Sequence, residues 1–471
     1  MTVTLGHLHA KFMIRSTRAL LVFLLIISGC SSPLPKRPDL AGVFSEYKDI
    51  PKKHPLIFIP GLFGSMLVGE ENKIIWGHKS AVFKQKNFNE SLLLPISEDD
   101  EITKRGHFLR PARLIESLVW IPDIYEIRAE EDLTKTLVEA GGYSLGDLDS
   151  PSKNENFYFF SYDWRRDIVE NVALLDKKIS ALQEAWGDPA LKVDIVAHSM
   201  GGLIARYYAK YGNIDLLDLH WLPSPTFSGA KNINKLIVVG TPHMGSAIIM
   251  GFLHYGLPMW HLRPRINPET MLTWPSVYQL LPYQQSGLFL DKSLEPLPDF
   301  DIHDLNSWKE YKLSIFSERM EKRIKRHYGD LAGKRIKQLK IYMKNMLRRS
   351  KRFHEALEVD ENIAKYPFPV LGFAGDCLLT PEYIILSRDG EMILNRHDLE
   401  SPGDGNVSIN SFLGFESHML TKSKVRRSHV HLDHTMFICE THSALTENKT
   451  FHDNLLHILL DERESTFQKG E

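Results

Sequence analysis

Ser199 is the residue of this chain whose surroundings point first to chemistry. It lies in the run Ala197-His198-Ser199-Met200-Gly201-Gly202. The apolar stretch Val193-Asp194-Ile195-Val196 reads as a strand entering that run, and Leu203 to Tyr208 (LIARYY) as a helix leaving it. A nucleophilic serine needs its Oγ lifted off a sheet on a strained turn, with small neighbours so the backbone can fold tightly. Ala197 and Gly201 are those neighbours, and Gly202 permits close helix–strand packing. A hydroxyl is a weak nucleophile at neutral pH, so it needs an imidazole base oriented by a carboxylate. Asp404, at the centre of Pro402-Gly403-Asp404-Gly405, and His442, just after the apolar strand Thr435 to Cys439, are the downstream candidates. Two backbone N–H groups must hold the oxyanion. Met200 follows the nucleophile, and Leu62 lies in the Pro60-Gly61-Leu62 loop after the buried-strand run Leu56 to Ile59. Two other aspartates compete for the acid role. Asp376 follows the strand Pro369 to Ala374, and Asp433 precedes the last strand. The glycine-rich turn and the 38 residues to His442, room for a connection and one strand, favour Asp404.

A second constellation spells different chemistry. His429-Val430-His431-Leu432-Asp433-His434 resembles the zinc motif of metallo-β-lactamase-type hydrolases, whose imidazoles and carboxylate hold two metals. That motif draws further ligands from well downstream, and only 37 residues follow His434. The segment is therefore read as a polar loop before the last strand, with His431 and His434 as minor rivals to His442. No metal and no cofactor are expected.

These residues need a scaffold. Buried-strand runs at 56–59, 157–162, 193–196, 236–239, 369–374 and 435–439 alternate with helices. One helix spans about Val169 to Trp186, with Val172, Leu175, Ile179, Leu182 and Trp186 on one face, and the last spans about Phe451 to Leu460. The pattern predicts an α/β fold, a mostly parallel sheet with helices on both faces. With the serine elbow it predicts an α/β-hydrolase fold over 55–471. Residues of about 73–155 and 250–365 interrupt the pattern and read as cap and lid insertions. They hold Trp76, Trp120, Trp260, Trp274 and Trp308, five of the eight tryptophans.

The stretches IFIPGLFGSML, YDWRRD, VAHSMGGLIARYY, LIVVGTPHMGS, TWPSVYQLLP, PGDGNVS and THSALTENKTF occur in one order over most of residues 55–460. Together they resemble the α/β-hydrolase group of lecithin:cholesterol acyltransferase and lysosomal phospholipase A2, with its bacterial members. The resemblance implies Ser199 as nucleophile, Asp404 as acid, His442 as base and the Leu62 and Met200 amides as oxyanion hole. It also implies long-chain acyl esters as substrates. The eukaryotic members carry disulfides, which three cysteines hardly allow here. Cys377 and Cys439 are two buried thiols or one disulfide.

Hydrophobic residues make up 43% and charged residues 25%, which excludes a disordered chain and a polytopic membrane protein. A net charge of −2 argues against nucleic acid as partner. The charge is uneven, since residues 318–352 carry 14 Lys and Arg against Glu318, Glu321 and Asp330. Met320, Ile324 and Tyr328 recur there at four-residue spacing, a basic amphipathic helix that either packs on the core or lies on an anionic membrane. Lys11, Arg15 and Arg18 precede the apolar run Ala19 to Ile27, too short for a spanning helix of ~20 residues. Met13 is an alternative start. Residues 1–29 read as a signal peptide, Cys30 of Ile27-Ser28-Gly29-Cys30 as a lipidated first residue, and 30–54 as a tether. The expectation is a lipid-anchored protein of the bacterial cell envelope, on the outer membrane, because Ser31-Ser32 follow Cys30. Its expected function is a serine esterase on acyl lipids, as phospholipase, lipase or acyltransferase, with an acyl-lipid substrate and the membrane surface as partners. The alternative is a non-catalytic lipid-binding lipoprotein on the same scaffold.

Overall fold

The computed structural model describes residues 40–44, 46–48, 50, 54–78, 81, 87–97, 100, 109–112, 129–258, 265–283, 288–358, 366–415 and 428–460. The signal segment, Cys30 and most of the tether lie outside them, as do Trp120 and Trp260. Among the described residues no helix is long and apolar enough to cross a membrane.

Six strands form the central sheet: β1 (Leu56–Ile59), β2 (Phe157–Phe159), β3 (Val193–His198), β4 (Ile233–Val239), β5 (Val370–Gly375) and β6 (His434–Ile438). Their order is β6-β5-β4-β3-β1-β2, and every neighbouring pair is parallel. Helices α1 (Ile168–Trp186), α2 (Met200–Tyr211), α3 (Ala247–Tyr255), α4 (Glu318–Tyr328), α5 (Ala332–Leu357) and α6 (Lys449–Leu460) are the elements used below.

Side chains alternate across a pleated strand, so a strand buried on both faces feeds two cores. Ile57 and Ile59 join a core with α1 and α2, whereas Leu56 and Phe58 join one with α6. Ile195 and Ala197 of β3 split from Val196 in the same way, as do Leu236 and Val238 of β4 from Ile237 and Val239. This is the helix–sheet–helix sandwich of the α/β-hydrolase fold. It explains why these strands read as unbroken apolar runs.

Helix α1 starts where Asp167 accepts the Val169 N–H at 2.8 Å, and it ends where Gly187 turns left-handed at φ 68°. Two boundaries differ from the sequence reading. The strand predicted over 157–162 stops at Phe159. Beyond it Tyr162 donates its hydroxyl to Pro60 O (2.6 Å) and its N–H to Ser65 Oγ (3.1 Å), which diverts the chain toward the loop after β1. Helix α2 begins at Met200 and not Leu203, because the Ser199 turn delivers the chain directly into helical geometry.

The core on the α1–α2 face continues into the later segment. Trp274, Trp308, Leu339, Met343, Leu347 and Phe353 are buried in it. Met320 and Ile324 of α4 are buried too, and Tyr328 packs against the same cluster, so the apolar stripe of this basic helix faces inward. Buried and half-buried ion pairs fix the arrangement. Arg165 meets Asp163 at 2.7 Å, Arg335 meets Asp100 at 2.8 Å, and Arg349 of α5 reaches Asp167 at 2.6 Å.

Candidate active site

Parallel strands all point their carboxyl ends one way, so the loops after β1, β3, β4 and β6 meet at one edge of the sheet. Ser199 follows β3 there. Its backbone sits at φ 54°, ψ −123°, a conformation that costs a non-glycine residue of order 1–3 kcal/mol. The strain is held because Ser199 N–H donates to Val239 O at 2.8 Å while α2 starts on its other side. Two glycines have no room for a side chain. A Cβ at Gly201 would lie 2.5 Å from Ile59 O, and one at Gly61 would lie 2.7 Å from Ser199 Cβ.

The three residues proposed from sequence are joined in one chain of hydrogen bonds. Ser199 Oγ lies 2.9 Å from His442 Nε2 and donates to it. His442 Nδ1–H donates to Asp404 Oδ2 at 2.7 Å. The other oxygen of Asp404 accepts the N–H groups of Asn406 (2.9 Å) and Val407 (2.7 Å). His442 N–H also donates to Asp404 O at 2.8 Å, which locks acid loop to base loop. Asp404 is 2% exposed, His442 5% and Ser199 9%, so the chain is dry at the acid and opens toward the serine.

The rivals lie elsewhere. Asp433 accepts Val370 N–H at 2.8 Å and pairs with His431 at 3.2 Å. It precedes β6, at the amino edge of the sheet, and His434 opens that strand. Asp376 is exposed beside Cys377. Among the described residues no three His, Cys, Asp or Glu side chains are grouped to hold a metal.

Cys377 and Cys439 are joined in a disulfide. Both residues are exposed, and of the two alternatives left open by the sequence, buried thiols or one disulfide, the structure has the disulfide. The bond links the segments just past the carboxyl ends of neighbouring β5 and β6, where parallel strands bring residues 62 apart in sequence to a Cα separation of 5.1 Å.

Leu62 and Met200 frame the serine. Leu62 lines the cavity that contains Ser199 and His442, and Met200 is the first residue of α2, whose leading amides have no intrahelical acceptor. The loop carrying Leu62 is pinned by aromatics. Trp76 Nε1–H donates to Phe63 O (2.9 Å) and Trp164 Nε1–H to Ser65 O (3.0 Å), and the Phe63 ring centroid lies 4.7 Å from that of Trp164.

Two contributions were invisible to pattern reading. His198 donates Nε2–H to His442 O at 3.0 Å, with ring centroids 4.9 Å apart. Burial, and secondarily the nearby His442, lowers its pKa to about 3, so it stays a neutral donor. Its position beside the nucleophile was the only signal. The second is the cavity itself, walled by Leu62, Ile248, Ile249, Phe252, Leu280 and Val407. Three of these come from α3, whose apolar sequence looks like ordinary core.

An α/β-hydrolase sheet with a serine, histidine and aspartate joined at its carboxyl edge defines the class. The lecithin:cholesterol acyltransferase family model matches residues 150–458, and the chain belongs to that family. No curated protein matches the chain. Among solved structures it is similar to a chain of the Tle4–Tli4 complex, at 13% identity over 86% of this chain and 98% of that one, with a TM-score of 0.48. It is also similar to EstA from Clostridium botulinum (11%; 91% and 92%; 0.34) and to lipase 1 from Pelosinus fermentans (12%; 87% and 99%; 0.36).

Proposed function

We propose that the protein is a serine esterase acting on acyl lipids through a covalent acyl-enzyme. Family membership supports the broader kind, a lipid-acyl hydrolase or acyltransferase. The observation that carries the finer reading is the continuous Ser199–His442–Asp404 hydrogen-bond chain opening into an apolar cavity. Ser199 Oγ attacks the ester carbonyl as its proton passes to His442 Nε2. Asp404 holds the imidazole tautomer and stabilises the imidazolium. The Leu62 and Met200 N–H groups take the oxyanion. Collapse breaks the ester C–O bond, and His442 returns the proton to the departing alcohol. Water or a second alcohol, deprotonated by His442, then releases the acyl group.

The test is covalent labelling by a fluorophosphonate, with turnover of a soluble short-chain ester. Wild-type protein should label once and turn over. Ser199→Ala should do neither, losing ~10⁴-fold or more in kcat because triad members act as a unit. Labelling with no turnover of any ester would favour the lipid-binding scaffold.

We also propose that Cys30 carries the lipid anchor and holds the protein at the bacterial cell envelope, on the outer membrane. The basic n-region, short apolar run and Ser-Gly-Cys sequence support this reading. Cys30→Ala should abolish metabolic labelling by palmitate and free the protein from the membrane fraction. Unchanged retention would reject the anchor.

A further inference from the structure

The Cys377–Cys439 disulfide lies outside the hydrogen-bond chain of the site, yet it adjoins the loops that carry both the acid and the base. Cys439 stands three residues before His442. On the other side, Cys377 precedes the strand Leu378–Pro381, which pairs antiparallel with Glu400–Gly403. The register sets Leu378 opposite Gly403, the residue before Asp404. Thr380 Oγ1 of the same strand accepts the N–H of Gly405, the residue after the acid, at 2.8 Å. Asp404 is thus gripped on both sides by a strand whose first residue adjoins Cys377.

These connections close a ring. It runs from Asp404 through Gly403 to Leu378 and Cys377, and crosses the disulfide to Cys439. It returns through His442, whose Nδ1 lies 2.7 Å from the Asp404 carboxylate. The disulfide takes over where the sheet stops. The last paired residues of β5 and β6 are Gly375 and Ile438. Beyond them Asp376, Cys377, Leu379 and Cys439 are exposed, so core packing does not hold this flank. The covalent bond supplies there what burial supplies elsewhere. Exposure also leaves it open to attack by a thiolate.

Resting on the esterase reading above, we propose that the Cys377–Cys439 disulfide is a positioning element of the catalytic site, which holds the His442 loop against the Asp404 hairpin and makes turnover depend on the oxidation state of this pair. A dithiol reverses it in two exchanges. One thiolate attacks a disulfide sulfur, forming a mixed disulfide and releasing the other cysteine as a thiolate, which takes up a proton. The second thiol of the reagent then attacks the mixed disulfide and frees the second cysteine. The protein has gained two electrons and two protons, and the dithiol has become a cyclic disulfide. With the bridge open, no covalent link ties acid hairpin to base loop. A misplacement of about 1 Å is enough to cost ~10²-fold in rate.

The experiment treats the full-length protein with dithiothreitol and counts free thiols by maleimide labelling. Short-ester turnover is measured before reduction, after it and after reoxidation. Reduction should expose two thiols. It should lower kcat about tenfold or more and leave KM within about twofold, and reoxidation should restore kcat. The double variant Cys377→Ser, Cys439→Ser should match the reduced protein and ignore the dithiol. In Asp404→Asn, where the acid is already lost, reduction should cost almost nothing further, because residues that act as a unit are not additive. A bridge that only stabilises the fold would give a different pattern. Reduction would then lower the melting temperature or unfold the protein without changing kcat of the folded fraction, or cost the same factor in both backgrounds. Either result would overturn the inference, as would kcat unchanged by complete reduction or a disulfide that the dithiol does not open. Should the double variant not fold, the reduced and reoxidised wild type decides. Fluorophosphonate labelling and turnover of the oxidised protein are measured first, so failure of the esterase reading is seen separately.

Discussion

His434 and His442 stand at opposite ends of one strand, and their surroundings differ completely. At the amino end of β6, His431, Asp433 and His434 offer the same residue types as a catalytic site, yet Asp433 is bonded to backbone and to a half-exposed imidazole. At the carboxyl end, His442 is buried between a serine and an aspartate. Five residues of strand, ~17 Å, separate the two. A parallel sheet gathers the loops from several strands at its carboxyl edge and only the starts of strands at its other edge. Residue type proposes chemistry, and the edge of the sheet decides which proposal finds partners.

The sharpest way to break this comparison is to neutralise an acid at each end. Asp404→Asn should lower kcat on a short ester by ~10⁴-fold, because the imidazole loses both tautomer and counter-charge. Asp433→Asn should cost less than about threefold, as a surface-side substitution away from the reacting atoms. The reverse ranking, with both variants folded by circular dichroism, would move the acid to the amino edge. Zinc chelators should leave turnover intact. Loss on chelation with recovery on added zinc would give the function to the histidine-rich segment instead.

His198 sharpens the comparison within the carboxyl edge. It bonds the backbone of His442 and lies outside the Ser199–His442–Asp404 chain, so it is a positioning residue. His198→Phe keeps a ring and removes the donor. A lost hydrogen bond to a buried carbonyl should cost ~10-fold in kcat. The acidic limb of the kcat/KM pH profile should also move. His198→Gln, which restores an N–H donor, should recover most of the loss. Equal defects in the two variants would show that only packing matters at this position.

The next prediction reaches the whole molecule. Burial lowers the pKa of His198 and His354 to about 3, and of His254, His303 and His452 to about 4. These side chains are neutral in the fold, whereas an unfolded histidine titrates near ~6.5. Their contribution is therefore fully present above pH ~6.5. It is lost as pH falls toward 4 and then 3, at up to ~1.4 kcal/mol per unit for each group. The melting temperature should drop steadily from pH 6.5 to 4, and His354→Phe should flatten that slope. A profile flat across the range in wild-type protein would contradict the burial argument.

The smallest effect concerns the outer face of α5. Lys334, Lys337, Lys344, Arg348 and Lys351 are exposed there, without an ion-pair partner among the described residues. We expect this stripe to meet anionic lipid at roughly 1 kcal/mol per charge. Reversing Lys337, Lys344 and Arg348 to Glu should weaken binding to vesicles containing phosphatidylglycerol and flatten its salt dependence. Binding unchanged in both respects would leave the stripe as solvated surface.

Much of the site was legible because its signals are local. Ser199 needed a strand, small neighbours and a helix in immediate succession, and those are adjacent in the chain. His442 and Asp404 were legible from glycine-rich or polar loops placed after apolar strands. The sheet was legible because strands buried on both faces are apolar throughout. The tertiary structure decided what depends on distance between remote residues. It joined Cys377 to Cys439 through the pairing of β5 with β6, brought His198 to the backbone of His442, and turned the apolar residues of α3 into a cavity wall. Sequence specifies which faces are apolar and which turns are tight, since those follow from the chemistry of neighbouring residues. Which side chains share a space is set by how the faces pack, and no local pattern encodes that.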